Sequence, residues 1–315
     1  MITDFVFIVL ALVLLFVGAE GLVRGSTALA LRAGLSPLIV GLTIVAFGTS
    51  SPELVVSLKA GLSQQGDIAV GNVVGSNIFN IAVILGITAL VCPIPVHRQI
   101  IKVDAPIALG ATLLLVFLLL DQALGRVEGG LLTLGIIVYT WMNLVLARKE
   151  GALTIAAPGE PSAPISSRHW ATDLAYILGG LVVLVVGSRL LVEHSVNLAT
   201  DFGISEAVIG LTIVAAGTSM PELATSLVAA VRKQPDIAIG NVVGSNVFNI
   251  LGILGLASIV SPISAPGIST LDYVAMIIFT VILIPLLYTG RLLHRLEGGV
   301  LLLLYGAYVL VLWPK

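Results

Sequence analysis

Charged side chains make up only 10% of this 315-residue chain, and cysteine occurs once, at Cys92. A single cysteine excludes an intrachain disulfide and leaves the redox compartment open. With 58% hydrophobic residues and a mean hydropathy of +1.13, apolar runs recur along the whole length. That excludes a soluble domain carrying one anchor and requires an integral membrane protein. There is no HExxH motif, no nucleophile elbow and no histidine in the middle of an apolar run. Hydrolase and metalloprotease chemistry therefore have no residues to work with, and no enzyme activity is expected. The opening MITDFVF lacks a basic leader region and a small-residue cleavage pattern, so it reads as a retained first helix.

The apolar runs predict ten spans, at 5–23, 35–62, 67–96, 103–120, 127–147, 171–192, 204–231, 237–260, 273–290 and 296–313. The short alternating segments of a membrane barrel are missing, so the expected fold is all-α. Residues 41–80 return at 210–249, with 28 of 40 positions identical at an offset of 169. The offset extends further: Asp4 matches Asp173, Gly18 matches Gly187, Glu128 matches Glu297 and Tyr139 matches Tyr308. The chain thus divides into a repeat at 1–147, a linker at 148–169 and a second repeat at 170–315. Five spans per repeat is an odd number, so the second repeat must be inverted in the membrane.

Loop charge sets the expected orientation. With both termini outside, the inner loops hold eleven Lys and Arg residues and the outer side holds Lys59, Arg126, Arg189 and Lys315. Loops this short obey the positive-inside rule. The linker, rich in Pro, Ser and Gly, then lies in the cytoplasm. Compactness favours the plasma membrane of a prokaryote.

The chemistry sits in the repeated motifs GTSSPE at 48–53 and GTSMPE at 217–222. A proline inside a helix has no N–H and pushes away the carbonyl four residues earlier, so Pro52 should free Gly48 O and Pro221 should free Gly217 O. Glu53 and Glu222 follow these prolines, and intramembrane carboxylates mark functional sites. Thr49, Glu53 and Ser57 share one helix face beside Ser50, and Thr218, Ser219, Glu222 and Ser226 repeat the pattern. The motifs GNVVGSNIFN and GNVVGSNVFN add Ser76 with Asn80 and Ser245 with Asn249, each pair one helical turn apart, with Asn72 and Asn241 on the same faces nearer a mouth. Asn77 and Asn246 point elsewhere and are expected to brace neighbouring helices. Gly71, Gly75, Gly240 and Gly244 form small-xxx-small pairs for close helix approach. Hydroxyl, carboxylate and carbonyl oxygens are the ligands calcium and sodium prefer.

These two motifs resemble the alpha-repeats of the cation/calcium antiporter superfamily, in particular the compact prokaryotic sodium/calcium exchangers. The resemblance covers nearly the whole chain. It implies a midplane site between the repeats, centred on Glu53 and Glu222. Thr49, Ser50, Thr218 and Ser219 follow as hydroxyl ligands, Ser76, Asn80, Ser245 and Asn249 as the next layer, and Ala46 and Ala215 as carbonyl ligands. Calcium and sodium are then the transported partners, the lipid bilayer is the surroundings, and no cofactor, nucleic acid or obligate protein partner is implied. Asparagine at both 80 and 249 leaves two carboxylates in the site, which sets the chain apart from potassium-dependent relatives. Val73 and Val74, following Asn72, stand where proton-coupled relatives carry a further acid. Exchange of calcium for sodium by alternating access is the expectation. A proton-coupled, manganese or potassium antiporter on the same site is the nearest alternative, and a cation channel is the alternative of a different class.

Overall fold

The computed structural model describes residues 2–155, 169–202 and 215–312. Its helices, in chain order, are α1 (Ile2–Ala33), α2 (Pro37–Thr49), α3 (Ser51–Leu62), α4 (Gly66–Val91), α5 (Ile100–Asp121), α6 (Arg126–Ile155), α7 (Trp170–Asp201), α8 (Ala215–Thr218), α9 (Met220–Val231), α10 (Pro235–Val260), α11 (Thr270–Tyr288) and α12 (Arg295–Leu312). Among the described residues, eight are long and apolar enough to cross a membrane, and the bent pair α2–α3 makes nine. The protein is an all-helical, multi-pass membrane protein. The expected span 204–231 is described only from Ala215 onward; residues 203–214 lie outside the described residues, as do 156–168 of the expected linker. The linker also starts later than expected, because α6 continues in helical form to Ile155. A proline-free run at 148–155 lets the helix propagate past the last apolar turn.

Local signals explain the helix ends. Ser36 caps α2 ahead of Pro37, and Ser269 and Asp272 form a reciprocal capping box on α11. Pro52 sits in the first turn of α3, where its missing N–H costs nothing, so the chain breaks at Ser50 and bends by 46°. Among the described residues, four helices contain a widened π-turn: Gly41–Val45 in α2, Asn80–Ile84 in α4, Ile100–Asp104 in α5 and Phe248–Leu254 in α10. In α4 the Leu85 N–H reaches back five residues to Asn80 O.

The core is built from α4 and α10, which are buried along most of their length, whereas α1, α6, α7 and α12 leave most of their surface to lipid. Glycines set the closest approaches. α10 lies against α2 so tightly that a Cβ on Gly240 would meet Leu38 O at 2.9 Å and one on Gly244 would meet Leu42 O at 2.6 Å. α1 and α7 cross just as closely, with a virtual Cβ on Gly180 meeting Gly18 O at 2.7 Å.

Two short antiparallel strand pairs, which hydropathy does not reveal, tie the loops together. Residues 94–95 pair with 292–293, and 123–124 pair with 263–264. The two pairings are equivalent under the 169-residue offset. One end of the molecule gathers the Glu20–Arg232 and Arg32–Asp173 ion pairs and the Arg295 bond to Val91 O. The other gathers Asp4 with His194, Asp67 with the Gly267 amide, and Ser261 with Gly61 O.

Candidate functional site

The two breaks face each other, so each glutamate is held by the opposite motif. Ser219 donates to Glu53 Oε1 at 3.0 Å, and Ser50 donates to Glu222 Oε1 at 2.8 Å. Both carboxylates are fully buried, at 0 and 1% exposure. No arginine, lysine or histidine is paired with either among the described residues. A charge so placed needs compensation that this protein alone does not supply.

The asparagines brace this centre. Asn72 donates to Glu53 O and to Ser57 Oγ, and Asn241 donates to Glu222 O and to Ser226 Oγ. Their side-chain oxygens in turn accept from Thr218 (3.4 Å) and Thr49 (3.0 Å). Asn72 and Asn241 therefore hold the broken helices in place rather than line a mouth. Ser57 and Ser226 also donate to Ala69 O and Ala238 O, so both hydroxyls are spent on packing.

Asn77 and Asn246 do more than steady a neighbouring helix. Asn246 Oδ1 accepts from Asn80 at 2.9 Å, and Asn77 Oδ1 accepts from Asn249 at 3.0 Å. With both amide N–H ends engaged, Asn80 Oδ1 and Asn249 Oδ1 remain buried and free of any hydrogen-bond partner. The same holds for Glu53 Oε2, Glu222 Oε2, Ser76 Oγ and Ser245 Oγ. These orphaned oxygens come in pairs related by the repeat. Buried polar atoms are almost always satisfied, so this matched set of oxygens is suited to accept water or a cation. Hard cations fit such oxygens, and among the described residues no cluster of three His, Cys, Asp or Glu exists to favour a transition metal.

Of the carbonyls expected to contribute, Ala46 O already accepts from Ser50 N at 3.0 Å and from Thr49 Oγ1 at 3.4 Å. For Ala215 the structure describes only that it opens α8. The carbonyl freed by Pro221 finds an unforeseen partner, since Ser188 of α7 donates to Gly217 O at 2.6 Å. The equivalent position in α1 is Ala19, so Gly48 O has no matching hydroxyl there. Only the three-dimensional packing of α7 on the break reveals Ser188.

The surroundings differ on the two sides. α1 packs along α9, where Glu20 bridges Arg24 and Arg232. α7 instead stands off α3, leaving a cleft of about 380 Å³ lined by Pro52, Val55, Ser188, Arg189, Gly217 and Thr218. The cleft leads to Thr218, one hydrogen bond from the Asn72 brace.

A multi-pass helical protein with a buried, oxygen-lined centre between duplicated broken helices has the construction of a secondary ion transporter. A family model described as sodium/calcium exchanger protein matches residues 3–145 and 172–313. The chain belongs to that family. It is 38% identical to the putative antiporter CaxA of Alkalimonas amylolytica across the full length of both, and 32% identical to the sodium/calcium exchanger MaX1 of Methanosarcina acetivorans across 98% of both. Its fold superimposes on that of the sodium-calcium exchanger NCX_Mj with a TM-score of 0.83, at 29% identity and full coverage of both chains.

Proposed function

We propose that this protein exchanges calcium for sodium across the plasma membrane of a prokaryote by alternating access. The observation that carries the reading is the set of six paired, partnerless oxygens around Glu53 and Glu222. Two carboxylates match the charge of one calcium ion or of two sodium ions. Glu53, Glu222, Ser50, Ser219, Ser76, Ser245, Asn80 and Asn249 form the ion site, with Thr49, Thr218 and the carbonyls of Ala46 and Ala215 around it. Empty, the site holds two uncompensated carboxylates in a medium of low dielectric, which opposes crossing without cargo and makes exchange obligatory.

The architecture we propose has ten spans in two inverted repeats with both termini outside. Support comes from the ties at each end of the molecule. The α4–α5 and α11–α12 loops meet through one strand pair, and the α5–α6 and α10–α11 loops meet through the other. Two halves of opposite topology would bring those loops together. In this orientation the cleft beside Ser188 faces outward, and the Glu20–Arg232 bridge closes the cytoplasmic side. α1 and α7, held together at Gly18 and Gly180, would move as one unit across the core.

Calcium-45 uptake into proteoliposomes preloaded with sodium tests this reading, with potassium-loaded and pH-gradient controls. Uptake that requires internal sodium is expected. Uptake driven only by a pH gradient would assign the protein to proton coupling, and uptake without any counter-ion would make it a channel.

A further inference from the structure

At the end of the molecule where residues 94–95 pair with 292–293, the first turn of the helix that becomes α5 begins at Arg98. Two adjoining cavities open here, of about 480 and 380 Å³, and both are lined by Arg98, Lys102 and Arg291. No carboxylate among the described residues lines either cavity. Among the described residues none of these three cations forms an ion pair. The turn that carries Arg291 belongs to the shared scaffold: Arg291 is left-handed at φ 52° with Val96 N–H on its carbonyl at 2.8 Å, as Gln122 is left-handed at φ 63° with Ala265 N–H on its carbonyl at 2.9 Å. A left-handed arginine is unfavourable and persists only where its surroundings fix it. The start of the α5 helix adds the positive end of its dipole to the same space.

The repeat supplies an internal control. The second strand pair, 123–124 with 263–264, has the same register, yet the positions equivalent to His97, Arg98, Lys102 and Arg291 are Pro266, Gly267, Leu271 and Gln122. The scaffold therefore forms without the cations. In the topology proposed above this end faces the cytoplasm, where loop cations gather, and three of them brought together in one cavity suit an anion with several oxygens. Tyr288, 72% exposed, stands at the rim of the second cavity, at the end of α11. An exposed tyrosine at a span end marks the headgroup level of the bilayer.

We propose that this basic pocket binds the phosphate of an anionic phospholipid headgroup. Arg98 and Arg291 engage the phosphate oxygens through their guanidinium forks, and Lys102 adds a point charge. The bound headgroup would join the start of α5 to the turn after α11, two elements from different halves, so occupancy stabilises the assembled protein.

The test is native mass spectrometry together with thermal unfolding of the full-length protein in detergent. Phosphatidylglycerol, phosphatidylcholine and inorganic phosphate are added separately. The wild type is expected to retain phosphatidylglycerol adducts and to unfold at a higher temperature with that lipid, and not with phosphatidylcholine. The R98Q/K102Q/R291Q variant loses both effects, whereas Lys59→Gln, at the opposite end, keeps them. Should the triple variant fail to fold, R98K/R291K retains the charge without the forks and is expected to hold the lipid more weakly than wild type. Equal stabilisation by both lipids, or an undiminished gain in the R98K/R291K or triple variant, overturns the pocket. Stabilisation by inorganic phosphate at the same concentration reassigns the site to a soluble phosphate and overturns the lipid as its source.

Discussion

Asn77 and Asn246 each donate a side-chain amide to the other's main-chain carbonyl, at 3.2 and 3.3 Å, across the centre of the molecule. Their side-chain oxygens also orient Asn249 and Asn80. One reciprocal pair thus fixes the layer of amide oxygens in both halves at once. Removing one partner strands polar groups of the other in the core. Asn77→Ala and Asn246→Ala should each cost about 1–3 kcal/mol, and the double variant should cost clearly less than the sum. A double-mutant cycle on unfolding midpoints measures this, and strict additivity would contradict the pairing.

Glu53→Gln and Glu222→Gln should each abolish calcium exchange while leaving the fold intact, because each removes half of the negative charge available to a divalent ion. The serines that hold them are expected to matter less. Ser50→Ala and Ser219→Ala each delete one hydrogen bond to a charged group, worth about 1.5–3 kcal/mol, or roughly 10- to 150-fold in apparent ion affinity. Calcium-45 flux against calcium concentration separates the two classes. Wild-type flux in either glutamine variant would remove the carboxylates from the site.

The bridge from Glu20 to Arg232, at 2.7 Å, has no counterpart across the repeat, where the matching residues are Arg189 and Ser63. Arg232 is half exposed, so the bridge is worth about 0.2–1 kcal/mol. Glu20→Gln should therefore move the balance between the two open states by about 1.4- to 5-fold, toward closure of the cleft beside α7. Thiol labelling of Ser188→Cys in a Cys92→Ala background reports the change as slower modification. Unchanged labelling would show that the bridge does not bias the equilibrium.

Gly180→Ala places a methyl 2.7 Å from Gly18 O and Leu22 N, both backbone atoms that cannot turn aside. α1 and α7 must separate, at a cost of about 1–3 kcal/mol. Flux should fall even though the substitution makes no contact with the ion-site residues. Gly179→Ala on the adjacent face, where nothing lies within 4 Å, serves as the control and should transport normally.

Much of this arrangement was legible in the sequence because the duplication exposes it. The proline after each glycine-threonine pair forecast the break at Ser50, and the helical spacing of Ser76 and Asn80 placed them on one face. The expected length of the first span was too short, since α1 continues through polar Glu20 and Arg24 to Ala33: a helix does not end where hydropathy falls if no breaker intervenes. The roles of Asn77 and Asn246 were only half visible. Periodicity gives the face of a side chain but not its partner, and here each partner is the residue's own repeat copy. The strand pairs at 94–95 and 123–124 left no trace in the pattern, because two-residue strands carry no period to detect.

The 32-residue lengths of α1 and α7 have a mechanical meaning. At about 1.5 Å per residue each extends roughly 48 Å, against a hydrocarbon layer of about 30 Å. Part of that length is polar, from Glu20 to Arg32 in α1 and from Arg189 to Asp201 in α7, so each rod passes beyond the hydrocarbon at one end, and rocking the pair would change how much apolar length the bilayer has to cover. If the pair rocks as proposed, the thickness of the surrounding membrane enters the energy difference between the two ends of the transport cycle, and lipid chain length becomes a control variable for the rate of exchange.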